Sequence, residues 1–337
     1  MMKSYKLVFS TSLVIGSLIA VSSYSWLTMW IGLEINLLSI IPLLSDSNNL
    51  YPSESALKYF ITQAMASSIM LFSIISSMNF QEIIPMFVMP YWSVIMNSAI
   101  LTKMGAAPFH AWFPEVMEGL SWMNCLIMLT WQKLAPMVIL MYNMKMSLFL
   151  SSIIIFSSII GGLLGMNQVS LRKILAYSSI NHISWMISSM LNSQAIWFTY
   201  FIVYSIITVN IIIMFYILNI FYLKQLFNSA NQNKSLKFLF IMNFLSLGGL
   251  PPFLGFFPKW LTINSLVENN FLMLSVILIT STLITLYFYL RVTFSTMVIN
   301  SSEFTMKYAQ PKMFLIILSN SMSLAGLLIC TMVFSMV

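Results

Sequence analysis

Three lysines, Lys103, Lys133 and Lys259, and one glutamate, Glu34, stand inside long apolar stretches of this 337-residue sequence, away from the polar breaks where charges collect. Where such stretches cross a membrane, each central charge costs about 2.5–3.5 kcal/mol on an insertion scale, so four cost on the order of 10 kcal/mol. Packing alone does not repay that, and a structural set of buried ion pairs has one acid for three bases. The chemistry that suits the set is proton transfer. A carboxylate about 5 Å from a lysine, at an effective dielectric of ~20, interacts with it by ~3 kcal/mol. Moving one proton against ~150 mV needs ~3.5 kcal/mol. Displacing Glu34 relative to Lys103 is therefore a step of the right size to load or unload the lysine, with no bound cofactor.

Other residue types define what else the chain could do. His110, in Pro108-Phe109-His110, and His182, in Asn181-His182-Ile183, are either hydrogen-bonded interior histidines or members of the same relay, since an imidazole exchanges protons near neutral pH. Two histidines on different helices could ligate a b-type haem. Neither lies in a Gly-rich groove suited to a porphyrin, however, and haem leaves the lysines unexplained. Cys125 and Cys330 are too few for an iron–sulfur cluster and have no metal-ligand spacing. The 29 methionines read as apolar filler rather than copper ligands. No metal and no chain-bound cofactor is expected. Ser178 and Ser179 serve either as interhelical hydrogen bonders or as holders of water between titratable groups.

The elements that position these residues follow from composition. With 59% hydrophobic and 7% charged residues and a mean hydropathy of +0.91, against roughly 25% charged in soluble domains, a water-soluble globule is excluded. Continuous rather than alternating apolar runs exclude a β-barrel. Breaks at Pro, Gly, Asn and charge clusters predict an all-α polytopic membrane protein with about 11 transmembrane helices, over 7–22, 25–44, 55–78, 83–112, 119–143, 147–165, 169–190, 195–222, 237–264, 270–297 and 312–336. Lys3 and Lys6 before the first run resemble a signal peptide, but no small-residue cleavage site follows, so this run is read as the first membrane helix.

Numbering the two membrane sides alternately puts Lys3, Lys6, Lys58, Arg172, Lys173, Lys224, Lys234, Lys237, Lys307 and Lys312 on one side and only Lys145 on the other. Arg291 lies near enough to the basic end of its helix to snorkel. This asymmetry orients the N-terminus to the cytoplasm-equivalent side and the C-terminus to the opposite one. The net charge of +7 is thus topological, and no nucleic-acid partner is expected.

Two spans are interrupted. The fourth carries Lys103-Met-Gly105-Ala-Ala-Pro108-Phe-His110-Ala-Trp112-Phe-Pro114, and the ninth Gly248-Gly249-Leu-Pro251-Pro252-Phe-Leu-Gly255-Phe-Phe-Pro258-Lys259-Trp260. Non-helical backbone at membrane depth is tolerated only where protein buries it or it lines a cavity, and paired broken helices point to a transport site between repeats. The breaks lie five helices apart, as do Glu34 and His182 on the second and seventh spans. The expectation is one membrane domain, 1–337, made of two inverted five-helix repeats, 1–145 and 146–298, each with a broken helix, plus one C-terminal helix in 299–337.

These two motifs, with Leu171-Arg-Lys-Ile-Leu-Ala-Tyr177-Ser-Ser-Ile-Asn-His182 and Trp30-Ile-Gly-Leu-Glu34-Ile-Asn36, closely resemble the antiporter-like membrane subunits of respiratory complex I, in order and over essentially the whole chain. The resemblance implies a proton-translocating subunit of an enzyme whose NADH, FMN, iron–sulfur clusters and ubiquinone belong to other subunits. It makes Glu34 the membrane glutamate, Lys103 its partner, Lys133 the central lysine and Lys259 the terminal one, with His110 and His182 on the same axis. It further implies a mitochondrial inner-membrane location with the N-terminus on the matrix side and the C-terminus on the intermembrane-space side. Other complex I membrane subunits, accessory subunits and lipids are the implied partners. Three helices of the fourteen-helix bacterial relatives have no counterpart at this N-terminus. The alternative is a subunit of a sodium/proton antiporter, which shares the broken-helix motifs and is distinguished by sodium-dependent exchange without NADH.

Overall fold

The computed structural model describes residues 4–46, 49–81, 89–144, 146–230 and 234–298. The expected helix over 312–336, with Cys330, Lys3, Lys145, Lys307 and Lys312, lies outside the described residues. Within them the backbone is helical, and the one β feature is an isolated bridge between Ser170 and Tyr222. Seven helical stretches are long and apolar enough to cross a membrane.

The chain divides into two compact units, Met1–Phe156 and Ser157–Val337. In the first, α1 (Ser4–Ser22) lies against α2 (Trp26–Leu44). The approach depends on two glycines: a Cβ on Gly16 would stand 2.9 Å from the Asn36 nitrogen, and one on Gly32 would stand 2.6 Å from the Ala20 nitrogen. Such close backbone approach is how apolar helices associate where lipid supplies no hydrophobic drive. Ser25 caps α2 by accepting from the Thr28 amide at 3.2 Å. Next comes α3 (Leu50–Gln81), longer at both ends than the expected 55–78, and it packs on α4 (Met89–Met104) and α5 (Trp112–Gly119). On its exposed first turns Lys58 pairs with Glu54 at 3.0 Å and with Glu115 of α5 at 3.3 Å.

The fifth expected span, 119–143, is matched by Trp122–Tyr142, one of the seven stretches. It is interrupted at a single residue between α6 (Trp122–Leu129) and α7 (Trp131–Tyr142): Thr130, at φ −112°, ψ −72°, is off ideal helical angles, while its amide and its hydroxyl both bond to the Leu126 carbonyl, at 3.0 and 2.7 Å. Pro136, inside α7, lacks the amide that would bond back to Gln132. The C-terminus of α7 is held to α4 by an amide pair: Asn143 Nδ2 donates to Asn97 Oδ1 at 2.9 Å, and Asn97 Nδ2 to the Asn143 carbonyl at 3.1 Å.

The helix α8 (Ser147–Met166) contains the unit boundary. In the second unit its later half crosses α9 (Leu171–Asn192) at Gly161, where a Cβ would meet the Asn181 nitrogen at 2.9 Å. Although long enough to span, α9 is too polar to rank with the seven. Its Ser178, Ser179, Asn181, His182, Ser184, Ser188 and Ser189 are all buried, so this helix is surrounded by protein and not by lipid. Then follow α10 (Gln194–Leu218), α11 (Leu223–Ala230), α12 (Lys234–Gly248), α13 (Phe256–Glu268) and α14 (Leu272–Val298). The expected span 195–222 stops early because Asn219 adopts a left-handed conformation at φ 51°, a C-terminal stop that asparagine tolerates.

Candidate functional site

Both interruptions are closed by the same backbone device. At the end of α4 the Gly105 amide bonds to the Thr102 carbonyl and the Ala106 amide to Leu101; at the end of α12 the Gly249 amide bonds to Ser246 and the Leu250 amide to Leu245. In each case a glycine at φ +75° makes the turn. This is the Schellman arrangement, which satisfies carbonyls that a helix end leaves open. In the first unit the Trp112 indole also reaches back to the Thr102 carbonyl at 3.0 Å, and the Gln63 amide approaches the Lys103 carbonyl at 3.5 Å. Protein partners thus satisfy carbonyls in the last turn of both half-helices, as backbone at membrane depth requires.

At the second break the lysine itself takes part. Lys259, 6% exposed in the first turn of α13, donates from Nζ to the Gly248 carbonyl at 2.8 Å, the last residue of α12. Its ammonium stands at the negative end of that half-helix, the favourable end for a cation, and 5.8 Å from the centre of the Trp185 ring. A Cβ on Gly249 would lie 2.8–3.0 Å from Lys259 Cδ, Cε and Nζ, so this glycine provides the space for the side chain as well as the turn.

In the first unit Lys103, 8% exposed, occupies the last turn of α4, again at the negative end of a half-helix. Its charged neighbour is Glu34 of α2. The two are not in direct contact, and Glu34 Oε2 is buried without a hydrogen-bond partner among the described residues. Lys133, 1% exposed in the first turn of α7 directly after the Thr130 break, lies 5.7 Å from the centre of the Phe113 ring. Phe113 belongs to α5 and packs beneath Gly105. Gln132, next to Lys133, donates to Asn36 Oδ1 at 2.9 Å, which ties α7 to the Glu34 helix. Glu34, Lys103 and Lys133 are thus gathered around the first break, and Lys259 forms the second.

The histidines part company. His182 is 5% exposed and its Nδ1 is 2.9 Å from the Tyr200 hydroxyl, deep within the second unit. His110 sits half-buried on the break loop, and its Nδ1 lies 3.3 Å from the Pro108 carbonyl. Pro108 and Phe109 beside it are exposed, and the hydrogen bond of His110 stays within its own loop. Ser178 and Ser179 are buried and each bonds a carbonyl of its own helix, at 2.8 Å to Leu175 and 2.7 Å to Ala176. Three tyrosines of the second unit, Tyr200, Tyr204 and Tyr289, line the same interior and were not singled out in the sequence, where each reads as an apolar-helix aromatic. No group of three metal-ligand side chains assembles among the described residues.

The sequence model of the NADH:quinone oxidoreductase/Mrp antiporter transmembrane family matches residues 23–285, well over half of the chain. This chain belongs to that family. Among its members, NADH-ubiquinone oxidoreductase chain 2 of Anopheles gambiae is 51% identical over 294 residues, 87% of this chain and 86% of the relative. Its namesake from Aedes aegypti is 49% identical over 332 residues, 97% of each. Among solved structures, a chain of the respiratory complex I from Thermus thermophilus superposes with a TM-score of 0.88, covering 99% of this chain and 80% of that one at 22% identity. The fold is therefore that of the family's membrane subunits.

Proposed function

We infer that this chain is a proton-translocating membrane subunit of NADH–ubiquinone oxidoreductase, multi-pass in the mitochondrial inner membrane, with no redox centre of its own. The observation that carries the reading is the placement of Lys103 and Lys259 at the ends of two half-helices in a chain half identical to named subunits of that enzyme. Glu34, Lys103, Lys133, Lys259 and His182 carry the proton, and His110 serves the loop side of the first break. The trigger is movement of Glu34 relative to Lys103, which are close enough to feel one another and far enough apart for their interaction to change. Exit is on the side opposite the basic loops, with the N-terminus in the matrix. Other membrane-arm and accessory subunits and lipids are the partners, and NADH, FMN, iron–sulfur clusters and ubiquinone belong to other subunits of the enzyme.

The same reading includes the repeat architecture, 1–145 and 146–298 with a further helix in 299–337, eleven spans in all. Its support is a register that runs through both halves. An offset of 145 residues relates Gly16 to Gly161, Asn36 to Asn181, Ser39 to Ser184 and Tyr59 to Tyr204. An offset of 144 relates Leu101, Gly105, Pro108, Phe109, Phe113 and Pro114 to Leu245, Gly249, Pro252, Phe253, Phe257 and Pro258. In this register His182 corresponds to Leu37 and Ser179 to Glu34, so the pairing of Glu34 with His182 gives way to one three residues displaced. Lys259 corresponds to Glu115, and Lys103 to Leu247. The halves share a frame and distribute their charges differently within it.

The test is Lys103→Met in the assembled complex reconstituted in vesicles. The expected outcome is NADH oxidation with depressed proton translocation; full translocation by an assembled complex overturns the role. Sodium-dependent proton exchange without NADH points to the antiporter function instead.

A further inference from the structure

The Glu34 helix, α2, is tied to its neighbours by side-chain hydrogen bonds. Trp30 Nε1, one turn before Glu34, donates to the Ser67 carbonyl of α3 at 3.0 Å, and Asn124 Nδ2 of α6 donates to the Leu43 carbonyl near the end of α2 at 3.1 Å. Both of these end on backbone and hold helix to helix. A third joins two side chains: Gln132 Nε2 of α7 donates to Asn36 Oδ1 at 2.9 Å. Asn36 is 3% exposed and Gln132 is half-buried. Asn36 follows Glu34 by two residues, about 3 Å along the helix axis, and Gln132 immediately precedes Lys133. The tie therefore joins the helix of the carboxylate to the turn of the central lysine.

Two leucines would join the same apolar helices without desolvating a pair of amides. What the amides add is a directional bond, which fixes how far one helix slides or turns against the other. The turn at which it acts is a bend: the Lys133 amide reaches the Thr130 carbonyl, three residues back, at 3.3 Å, a closure of 3₁₀ type with poorer geometry than the helix on either side. A tie at the second residue of α7 sets which way that bend faces. The second unit repeats the device in a looser form. Asn181, 145 residues on from Asn36, donates from Nδ2 to Thr285 Oγ1 of α14 at 3.3 Å, while its Oδ1 has no hydrogen-bond partner among the described residues. Thr285 has no charged residue beside it, whereas Gln132 has Lys133.

Resting on the translocation reading above, we propose that Asn36 and Gln132 are positioning residues of the relay, whose bond carries a displacement of the Glu34 helix to the α7 turn that holds Lys133. Glu34 then acts on Lys103 through charge and on Lys133 through this tie, so that both lysines answer to one movement. No proton passes through the amides, and their part in the step is mechanical.

The experiment uses the intact NADH-oxidising complex in vesicles and reads the amount assembled and, per assembled complex, the protons translocated per NADH. Gln132→Leu alone strands Asn36 Oδ1 in the interior and is expected to lower assembly. Asn36→Leu with Gln132→Leu removes both amides, strands neither and is expected to restore assembly, yet to translocate about threefold to tenfold less per NADH, the scale of one hydrogen bond. Asn36→Gln with Gln132→Asn keeps an amide pair in exchanged places and is expected to recover most of that loss. A brace with no part in the relay predicts otherwise: yield varies while translocation per NADH stays unchanged in the double leucine variant, and that result overturns the proposal. An exchanged pair that pumps no better than the two leucines overturns it as well. Lys133→Met separates the two levels of inference. If Lys133→Met pumps fully, the failure belongs to the translocation reading; if Lys133→Met is silent while the double leucine variant pumps fully, it belongs to this proposal alone.

Discussion

At the scale of single residues, the two turn glycines make the sharpest comparison. Gly105 and Gly249 share φ +75°, so an alanine at either costs about 1–2 kcal/mol from the left-handed backbone alone. What the new methyl meets differs. At Gly105 it comes 3.2 Å from Phe113 Cβ, whereas at Gly249 it comes 2.8–3.0 Å from the stem and ammonium of Lys259. Gly249→Ala is therefore expected to push the ammonium off the Gly248 carbonyl and to depress translocation in an assembled complex well below that of Gly105→Ala, with comparable losses of thermal stability in the two. Equal pumping in the two variants separates Lys259's position from its function. Much at this scale was legible in the sequence, because a charge in an apolar run is conspicuous wherever it stands: Glu34, Lys103, Lys133 and Lys259 all announce themselves. The tyrosines do not. In an apolar helix a tyrosine reads like phenylalanine, and only three helices brought together show that Tyr200, Tyr204 and Tyr289 share one space.

At the scale of elements, glycine and proline marked both broken helices in advance, since Gly105, Pro108, Gly249, Pro251 and Pro252 cannot continue a ladder unmarked. The break at Thr130 carries no such sign: Leu129-Thr130-Trp131 contains neither residue, and at Thr130 the hydroxyl shares the Leu126 carbonyl with its own amide, a turn and a half before Pro136. Lys133 in the first turn of α7 depends on it. Thr130→Val, which keeps the shape and removes the hydroxyl, is expected to straighten the α6–α7 junction and slow translocation while NADH oxidation persists, a result read from vesicle acidification. The amide clamp between α4 and α7 gives a stability test of the same assembly. Asn143→Ala leaves Asn97, fully buried, without the donor to its Oδ1, which costs about 1–3 kcal/mol. The double variant with Asn97→Ala is expected to cost less than the sum of the two single ones, measured by thermal dissociation of the subunit, because the pair acts as one interaction.

At the scale of the whole molecule, the ends of the helices carry the orientation. In the second unit Arg291 near the end of α14 donates to the Met166 carbonyl at the end of α8, and Lys237 near the start of α12 donates to the Met297 carbonyl of α14. Arg172 and Lys173 open α9, and Lys224 lies on α11, beside that same set of helix ends. In the first unit Lys58 sits on the early turns of α3, with Glu54 and Glu115 as its partners. In the proposed orientation, alternation along the chain assigns all of these to one side of the membrane, the side that also receives the N-terminus. Bases held at one face resist translocation across the bilayer during insertion, so in that proposal the asymmetry sets the direction in which the breaks are crossed. A small affinity tag placed at the N-terminus is therefore expected to be protected from protease in intact mitochondria and in outer-membrane-ruptured organelles, and to become accessible only when the inner membrane is opened. A cysteine introduced at Asn270, in the α13–α14 turn, is expected to behave oppositely and to react with an impermeant thiol reagent once the outer membrane is ruptured. If the two sites exchange behaviour, the exit side of the relay is reversed, and Lys259, in the half-helix that leads to Asn270, becomes the point of entry instead of the last carrier.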